Sequence, residues 1–254
     1  MGRTLVMGDI HGACRAMEQC LNRSGFDQER DLLIQLGDVV DGYPESFECV
    51  EQLLKIKKRI CIKGNHDDWF NDFVRTGVHP SGWSHGGKGT MVSYLEHAGK
   101  QGRYIDTESG LTSALLPTDV PKAHQLFFGS QQLYHIDHHQ RCFVHAGFDR
   151  KLPFLDQDPA NYYWDRSLWQ EALERSETPL HTGLLEMVTT FHEIYIGHTP
   201  TTRNGTDQPL SAFNIMNLDT GAGHAGRLTI MDIDTREVWQ SDPLPTLYTQ
   251  NFRV

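Results

Sequence analysis

Apolar residues in the first third of the chain follow two alternating patterns. Short apolar runs over Thr4–Met7, Asp31–Leu36 and Arg59–Ile62 each stop at or shortly before a glycine, as buried strands do. Between them, Cys14–Leu21 and Glu45–Lys57 carry apolar side chains at helical spacing. This β-α-β-α-β order predicts parallel strands with helices covering the sheet.

The middle of the chain has a different pattern. Helical periodicity over Asp67–Arg75, Thr90–Ala98 and Thr118–Gly129 is interrupted by residues 76–89, which are rich in glycine and proline. We interpret residues 68–130 as a mainly helical insertion over the edge of the sheet.

Strand patterns return in the last part of the chain. The predicted strands are Gln132–Ile136, Arg141–His145, Phe191–Ile196, Phe213–Leu218, Arg227–Ile233 and Glu237–Ser241, and the predicted helices are Asp165–Arg175 and Leu180–Thr190. No internal repeat or linker separates these segments, and 254 residues are enough for one large core. We therefore expect residues 1–254 to form a single domain.

Composition and charge exclude several classes of protein. The chain is 38% hydrophobic, and no apolar run approaches the roughly 18 residues of a membrane span. Its formal net charge of −10 argues against a nucleic-acid polymer as partner, because such binding depends on basic side chains. A small phosphorylated substrate stays compatible with this charge, since bound metal ions can reverse the local field.

The cysteines and the first residues predict a cytoplasmic protein. The first residues lack the apolar stretch of a signal peptide. No two cysteines have CxxC spacing, and their number is odd, so reduced thiols are the simplest interpretation. The five cysteines are Cys14, Cys20, Cys49, Cys61 and Cys142.

Polar side chains with metal-binding chemistry follow each of the first three predicted strands. Asp9 and His11 follow the first strand, Asp38 follows the second, and Asn65 and His66 follow the third. Ligands of open α/β sheets lie at the carboxyl ends of the strands. We therefore expect these side chains to share one rim of the sheet.

Two later β-type runs end in the same way, at His145 and His198, each close to a glycine. The five strand ends together offer two carboxylates, one amide and four imidazoles. This donor set suits a pair of divalent ions such as Mn, Fe, Zn or Ni, and the absence of cysteine ligands argues against a structural zinc site. Asp38, from the middle of the three first strands, is the candidate for a carboxylate that bridges both ions.

The blocks GDIHG, GDVVDG, GNHD, VHAG and GHTP occur in this order along residues 3–242. In this order they resemble the calcineurin-like metallophosphoesterase superfamily, and within it the bacterial and phage branch of the PPP-type serine/threonine phosphatases. The resemblance implies an α/β fold, a β-sandwich of two mixed sheets flanked by helices. It also implies an enzyme, a dinuclear metal-dependent phosphatase with two divalent ions, for which manganese is the expected metal.

The resemblance further implies a role for each residue at the strand ends. The metal ligands would be Asp9 and His11 for the first ion, Asp38 as the bridge, and Asn65, His145 and His198 for the second ion. His66 would act as general acid on the leaving oxygen, with Asp41 orienting its imidazole. A hydroxide held between the ions would attack phosphorus in line with the leaving group.

The chain departs from the family pattern at the phosphate clamp. PPP phosphatases usually read GDxxDRG, whereas Asp41 is followed here by Gly42, so one phosphate-binding arginine is lost or supplied from elsewhere. Bacterial relatives also carry a Trp-x-Arg element, which Trp164 and Arg166 match. Arg166 is therefore the candidate substrate ligand, because a guanidinium can bind two phosphate oxygens at once.

Three functions are compatible with this sequence. The first is hydrolysis of phosphomonoesters, including phosphoserine or phosphothreonine, with a phosphorylated small molecule or phosphoprotein as substrate. The second is a symmetrical dinucleoside tetraphosphatase, which shares the same blocks and which the missing arginine at Gly42 keeps open. The third is a non-catalytic metal-binding scaffold, against which the complete ligand set argues.

Overall fold

Two five-stranded mixed sheets lie at the centre of the computed structural model, which describes residues 2–100, 104–107, 110–176 and 189–253. The first sheet contains β1 (Thr4–Met7), β2 (Leu32–Gln35), β3 (Arg59–Cys61), β11 (Thr229–Asp232) and β12 (Val238–Gln240). Its order is β12-β11-β1-β2-β3, and β1, β2 and β3 run parallel to one another. The predicted β-α-β-α-β unit is therefore present, with β11 and β12 added antiparallel at its side.

The second sheet has the order β6-β7-β8-β10-β9. Its strands are β6 (Tyr134–Ile136), β7 (Arg141–Val144), β8 (Glu193–Ile196), β9 (Leu210–Ala212) and β10 (Ile215–Asn217). The strands β7, β8 and β10 are parallel, and β6 and β9 pair antiparallel at the two edges. The sequence did not predict β9, because its residues Leu-Ser-Ala contain a single large apolar side chain and form no apolar run.

Side chains that alternate along the strands join the two sheets. Val6 of β1 packs in one buried cluster with Phe143 of β7 and Tyr195 of β8, and this cluster lies between the sheets. Its neighbours Leu5 and Met7 point to the opposite face and pack among the helices. This alternation follows from the two-residue period of a strand.

Helices cover the outer face of each sheet. Those that share a buried cluster with the first sheet are α1 (Cys14–Arg23), α2 (Ser46–Lys55), α3 (Asn65–Thr76), α4 (Gly87–His97), α5 (Lys122–Ser130) and α8 (Leu244–Leu247). The helices that pack on the second sheet are α6 (Asn161–Trp164) and α7 (Ser167–Ser176). Short 3-10 helices occupy Ser81–Ser84, Pro117–Asp119, Phe154–Asp156 and Thr201–Asn204. No helix in the described ranges is long and apolar enough to cross a membrane.

The region between α3 and β6 differs in one respect from its predicted helical character. It contains an antiparallel hairpin of β4 (Tyr104–Thr107) and β5 (Gly110–Ser113), which the sequence did not predict. The helix predicted over Leu180–Thr190 falls mostly on residues outside the described ranges. Helix α3 begins at Asn65 rather than Asp67, so that two of the candidate site residues form its first turn.

Candidate active site

The structure gathers eight of the nine predicted site residues into one buried group and places the ninth, Arg166, at its edge. The six predicted metal ligands, which we term the ligand cluster, are Asp9, His11, Asp38, Asn65, His145 and His198. Each is at most 5% exposed. The parallel strands β1 and β2 end at the same edge of the first sheet, where α3 also begins. The parallel strands β7 and β8 of the second sheet end at the same group of side chains.

Asp38 lies at the centre of the ligand cluster. Its Oδ2 is 3.6 Å from Nε2 of His11 and 3.4 Å from Nε2 of His145. Two groups of possible metal donors have all their ligand atoms within 4.8 Å of one another, and Asp38 belongs to both. One group adds His11 and His66, and the other adds His145 and His198. A carboxylate shared by two such groups fits a bridging position.

Backbone carbonyls fix the tautomers of two imidazoles. Nδ1 of His11 donates to the carbonyl of Asp41 at 2.8 Å, and Nδ1 of His145 donates to that of Leu36 at 2.7 Å. Each Nε2 therefore faces the cluster, where it can bind a metal ion once it carries no proton. Nε2 of His198 is buried and has no hydrogen-bond partner among the described residues. A buried polar atom without a partner needs one, and a metal ion fits this need.

The carboxylates of the ligand cluster create a local excess of negative charge. Burial raises the pKa of Asp9 well above its usual range, and the nearby charges of Asp219 and Asp38 raise it further. Asp219 is itself buried, and burial also raises its pKa. Buried carboxylates in this proximity are stabilised by a cation, so their chemistry fits divalent metal ions.

The imidazoles divide into two kinds. Burial lowers the pKa of His11 and of His198 well below the usual range, which leaves both neutral and able to bind a metal. For His145, the lowering by burial is outweighed by attraction to Asp38, and its pKa is raised to about 9. A metal ion at its Nε2 would therefore displace a proton.

The backbone of the site is strained at four residues other than glycine. His11, Asp38, Asp41 and His198 have φ angles of +52°, +54°, +69° and +66°. Such left-handed conformations are uncommon for residues other than glycine, although Asp and His adopt them more often than most, and they gather at functional sites. The loops also approach one another closely, since a Cβ at Gly64 would lie 2.1 Å from Oδ1 of Asp38.

His66 forms a buried pair with Asp41 beside the ligand cluster. Nδ1 of His66 is 3.0 Å from Oδ2 of Asp41. The hydroxyl of Thr90 donates to Oδ1 of the same carboxylate at 2.6 Å and accepts from the Asp41 amide at 2.9 Å. These contacts hold the Asp41 carboxylate against the imidazole, and Nε2 of His66 faces away from Asp41, toward Arg253.

Sequence reasoning did not single out Asp67, which is fully buried beside this pair. Its carboxylate accepts from the Val39 amide at 2.8 Å, the Gly64 amide at 3.3 Å and Nε2 of Gln131 at 2.8 Å. It thus ties the loop after β2 to the start of α3. Burial, followed by the charge of Asp38, raises the pKa of Asp67 to about 7. Its position as the last residue of the GNHD block was the signal available.

A cleft of about 530 Å³ opens above His66 and His198. Its wall contains two indoles and three guanidiniums, which we term the cleft wall: Trp69, Trp164, Arg166, Arg203 and Arg253. The remaining lining residues are Asn65, Ser81, Gly82, His85 and His224. The cleft therefore joins a cationic wall to the ligand cluster, an arrangement suited to a phosphorylated ligand.

Arg166 lies between α6 and α7, where the Trp-x-Arg element predicted a substrate ligand. Its Nη1 donates to the carbonyl of His198 at 3.3 Å and to Oγ1 of Thr199 at 3.1 Å. These contacts hold the half-buried guanidinium beside the ligand cluster. The geometry is compatible with the predicted role.

Several members of the cleft wall were missed. The guanidinium of Arg253 makes hydrogen bonds to Nε2 of His11 and, at 3.1 Å, to Nε2 of His66. The indole of Trp69 packs edge-on against His66 with the ring centres 4.8 Å apart. Neither Arg253 nor Arg203 follows a strand directly or lies in a recognised block, so no local pattern indicated a role for them.

Comparison with known sequences supports this chemistry. The family model described as calcineurin-like phosphoesterase matches residues 2–202. Serine/threonine-protein phosphatase 1 of Salmonella typhimurium is 26% identical over 236 residues, which cover 90% of each chain. The symmetrical bis(5'-nucleosyl)-tetraphosphatase of Pseudomonas fluorescens SBW25 is 37% identical over 65 residues, 25% of this chain and 23% of that protein.

Solved structures share the fold. One, suggested to be a diadenosine tetraphosphatase, aligns with a TM-score of 0.64 at 18% identity and covers 95% of this chain and 93% of its own. A metallophosphoesterase from Sphaerobacter thermophilus aligns with a TM-score of 0.53, also at 18% identity, over 95% of this chain and 89% of its own. The predicted α/β sandwich of two mixed sheets flanked by helices is confirmed.

Proposed function

The chain belongs to the calcineurin-like phosphoesterase family, and from this premise we propose that it is a manganese-dependent hydrolase of phosphomonoesters. Its family and its phosphatase relatives make it a phosphoesterase. The observation that carries the more specific proposal is the His66–Asp41 pair, which lies between the ligand cluster and a cleft with a cationic wall.

The ligand cluster fits two divalent ions, as the family requires. By the family pattern, Asp9, His11 and Asp38 would hold one ion, and Asp38, Asn65, His145 and His198 would hold the other. Asp9 comes within 3.7 Å of Nε2 of His11, although the donor group described above contains His66 rather than Asp9. When bound, the ions supply an activated water and offset negative charge on the phosphoryl oxygens. The mixed carboxylate, amide and imidazole donors are compatible with Mn, Fe, Zn or Ni, and the oxygen-rich first set favours manganese.

The side chains of the protein would perform the remaining steps. Arg166 would bind phosphoryl oxygens and orient the ester in the cleft. His66 would donate the proton on Nε2 to the leaving oxygen, while Asp41 accepts from Nδ1 and stabilises the imidazolium before transfer. Thr90 would keep the Asp41 carboxylate in place through its hydroxyl.

A second candidate function is symmetrical hydrolysis of dinucleoside tetraphosphates. It is supported by the indoles of Trp69 and Trp164, whose ring centres lie 5.3 Å apart at the cleft and could stack with a nucleobase. The third guanidinium, Arg203, would match the additional phosphates. The match to the Pseudomonas fluorescens relative of this name extends over only 65 residues, so its support is local.

A substrate panel separates these functions. Purified protein with added Mn²⁺, Fe²⁺, Zn²⁺ or Ni²⁺ would be assayed on an aryl phosphate, a phosphoserine peptide and diadenosine tetraphosphate, with Asp72→Asn as a surface carboxylate control. We expect the monoesters to have the highest kcat/KM, with Mn²⁺ the most effective metal. A higher kcat/KM for diadenosine tetraphosphate would favour the second function. Metal binding without turnover of any substrate would contradict both and indicate a scaffold.

Two further assignments complete the proposal. We place the protein in the cytoplasm, because its five free cysteines lie buried or half-buried and depend on no disulfide. We also assign residues 1–254 to a single domain, with 68–130 as an insertion. Limited proteolysis tests the second assignment, since one domain should resist cleavage between its two sheets.

A further inference from the structure

We propose that Arg253 is a substrate-binding residue that binds the phosphoryl group in the cleft that it lines together with Arg166. This proposal rests on the proposed phosphoesterase function and adds a residue that no sequence block contains.

The segment that carries Arg253 is anchored independently of the guanidinium. The amide of Phe252 donates to the carbonyl of Gly42 at 3.1 Å. The side-chain amide of Asn251 donates to the hydroxyl of Tyr43 at 3.4 Å and to the carbonyl of Gly223 at 3.3 Å, while its Oδ1 accepts from the Arg253 amide at 2.9 Å. The segment is therefore held by the loop after β2 and the loop after β10, which directs the Arg253 side chain into the cleft.

The guanidinium lies beside the position that a reacting phosphoryl group would occupy. Its two Nη donors reach Nε2 of His11, which belongs to the ligand cluster, and Nε2 of His66, the proposed acid. An ester that is attacked from the side of the cluster and protonated by His66 has its phosphorus between these two imidazoles. Its oxygens then come within reach of the two parallel N–H donors, the geometry in which arginine binds phosphate best.

The contacts that Arg253 makes leave it in need of an anion. In the described ranges, no carboxylate lies within ion-pair distance of its guanidinium, although the side chain is partly buried, and Asp219 attracts it only from farther away. The lone pair on Nε2 of His11 can serve one partner, so when His11 binds an ion, the Nη1 donor requires another acceptor. The Nη2 donor requires one too, because Nε2 of His66 cannot accept from it while it carries the proton of the proposed acid. A phosphate oxygen meets this requirement, and its negative charge compensates the cation.

The position of the segment also accounts for the absence of an arginine at position 42, where the chain has Gly42. Gly42 has a φ of +145°, a conformation that L side chains rarely adopt, and a Cβ there would lie 2.9 Å from the carbonyl of His11. An arginine side chain at this position would be strained. The same residue accepts the hydrogen bond from Phe252, so the loop that lacks an arginine is the loop that holds Arg253 in place.

The test compares Arg253→Ala and Arg253→Lys with wild-type protein and with Arg75→Ala, an exposed arginine of α3 whose loss changes the net charge equally. Calorimetry measures the affinities for Mn²⁺ and for inorganic phosphate on the Mn²⁺-loaded protein. Steady-state kinetics with an aryl phosphate measures KM, kcat and the inhibition constant of phosphate.

We expect Arg253→Ala to weaken phosphate binding and to raise KM by about 10-fold or more, because it removes the charge-assisted hydrogen bonds to one anion. The affinity of Arg253→Ala for Mn²⁺ should stay within about twofold of wild type, as for Arg75→Ala. Arg253→Lys should recover part of the phosphate affinity, because lysine keeps the positive charge but lacks the two parallel N–H donors of a guanidinium. Unchanged phosphate affinity in Arg253→Ala would overturn the proposal, as would weaker Mn²⁺ binding without a change for phosphate. Inactive wild-type protein would contradict the proposed function instead, and the phosphate calorimetry would still decide the role of Arg253.

Discussion

The ligand cluster and the cleft wall above it are built in different ways. Each member of the cluster lies at or just after the end of a strand or at the start of α3, and none is more than 5% exposed. The cleft wall comes from scattered positions, and Trp164 in it is 41% exposed. In the proposed function, the ends of rigid elements would hold the groups that perform the chemistry, while side chains from scattered positions would surround the substrate.

From this difference we expect the ligand cluster to serve the reaction and the cleft wall to serve substrate recognition. The ligand cluster has partners fixed by backbone groups, such as the carbonyls of Asp41 and Leu36, so its geometry can tolerate little change. The cleft wall would bind substrate through side chains such as Arg166 and Arg253, which are themselves held by side-chain contacts. Substitutions in the cluster should therefore lower kcat most strongly, and those in the wall should mainly raise KM.

Asp38→Asn should have the largest effect. It removes the carboxylate shared by both donor groups, and several kcal/mol of charge stabilisation are lost with it, so kcat/KM should fall by at least about 10³-fold. Kinetics with an aryl phosphate and calorimetry with Mn²⁺ measure the two consequences. Asp72→Asn on the surface of α3 is the control and should leave both values unchanged. Full Mn²⁺ stoichiometry and activity in Asp38→Asn would break the assignment of the bridge.

His66→Asn should come next and should depend on the leaving group. For an alkyl phosphate, whose leaving oxygen needs a proton, kcat should fall by about 10²- to 10⁴-fold. For p-nitrophenyl phosphate the decrease should be smaller, because that leaving group is a weak base. Mn²⁺ stoichiometry should remain the same. A lost metal ion would instead make His66 a ligand, a role that its proximity to His11 and Asp38 leaves open.

Arg166→Ala should have an intermediate effect, confined to binding. We expect KM for an aryl phosphate to rise by about 10-fold, with a smaller change in kcat, because the guanidinium acts on phosphate oxygens rather than on the transferred proton. Arg166→Lys should recover part of the loss. If Arg166→Ala has the KM of wild type, Arg166 does not bind substrate, and the proposed distinction between cluster and wall does not hold for this residue.

Gly42→Ala should have the smallest effect on hydrolysis and a measurable one on stability. The left-handed φ and the approach of a Cβ to His11 should lower the free energy of unfolding by about 1–3 kcal/mol. Gly25→Ala is the matched control, since its φ is +59° but no atom lies within 4 Å of an added Cβ. Urea denaturation should show a larger loss for Gly42→Ala than for Gly25→Ala. Equal losses would mean that contact with His11 adds nothing to the backbone strain.

The sequence predicted the ligand cluster because each of its members stands next to a local pattern. Asp9, Asp38 and His145 each follow an apolar run and lie close to a glycine, and parallel strands bring their carboxyl ends together. The same reasoning found β1, β2 and β3 nearly to the residue. The strand β9 was missed, because Leu210 is its only large apolar residue and no apolar run marks it.

The cleft wall was harder to predict for a physical reason. Arg253 reaches the site through contacts of its segment with Gly42 and Gly223, which are separated from it in sequence and leave no mark on its own neighbours. Asp67 was missed for a related reason, since its partners Val39 and Gln131 come from other elements. Residues that act through distant loops become visible only when the tertiary structure is known.

Metal removal tests the central claim most directly. Protein treated with a chelator until no metal is detected by atomic emission should fail to hydrolyse an aryl phosphate. Titration with Mn²⁺ should then restore hydrolysis and show two bound ions per chain, with only partial binding in Asp38→Asn. Hydrolysis at the original rate by the metal-free protein would contradict the account.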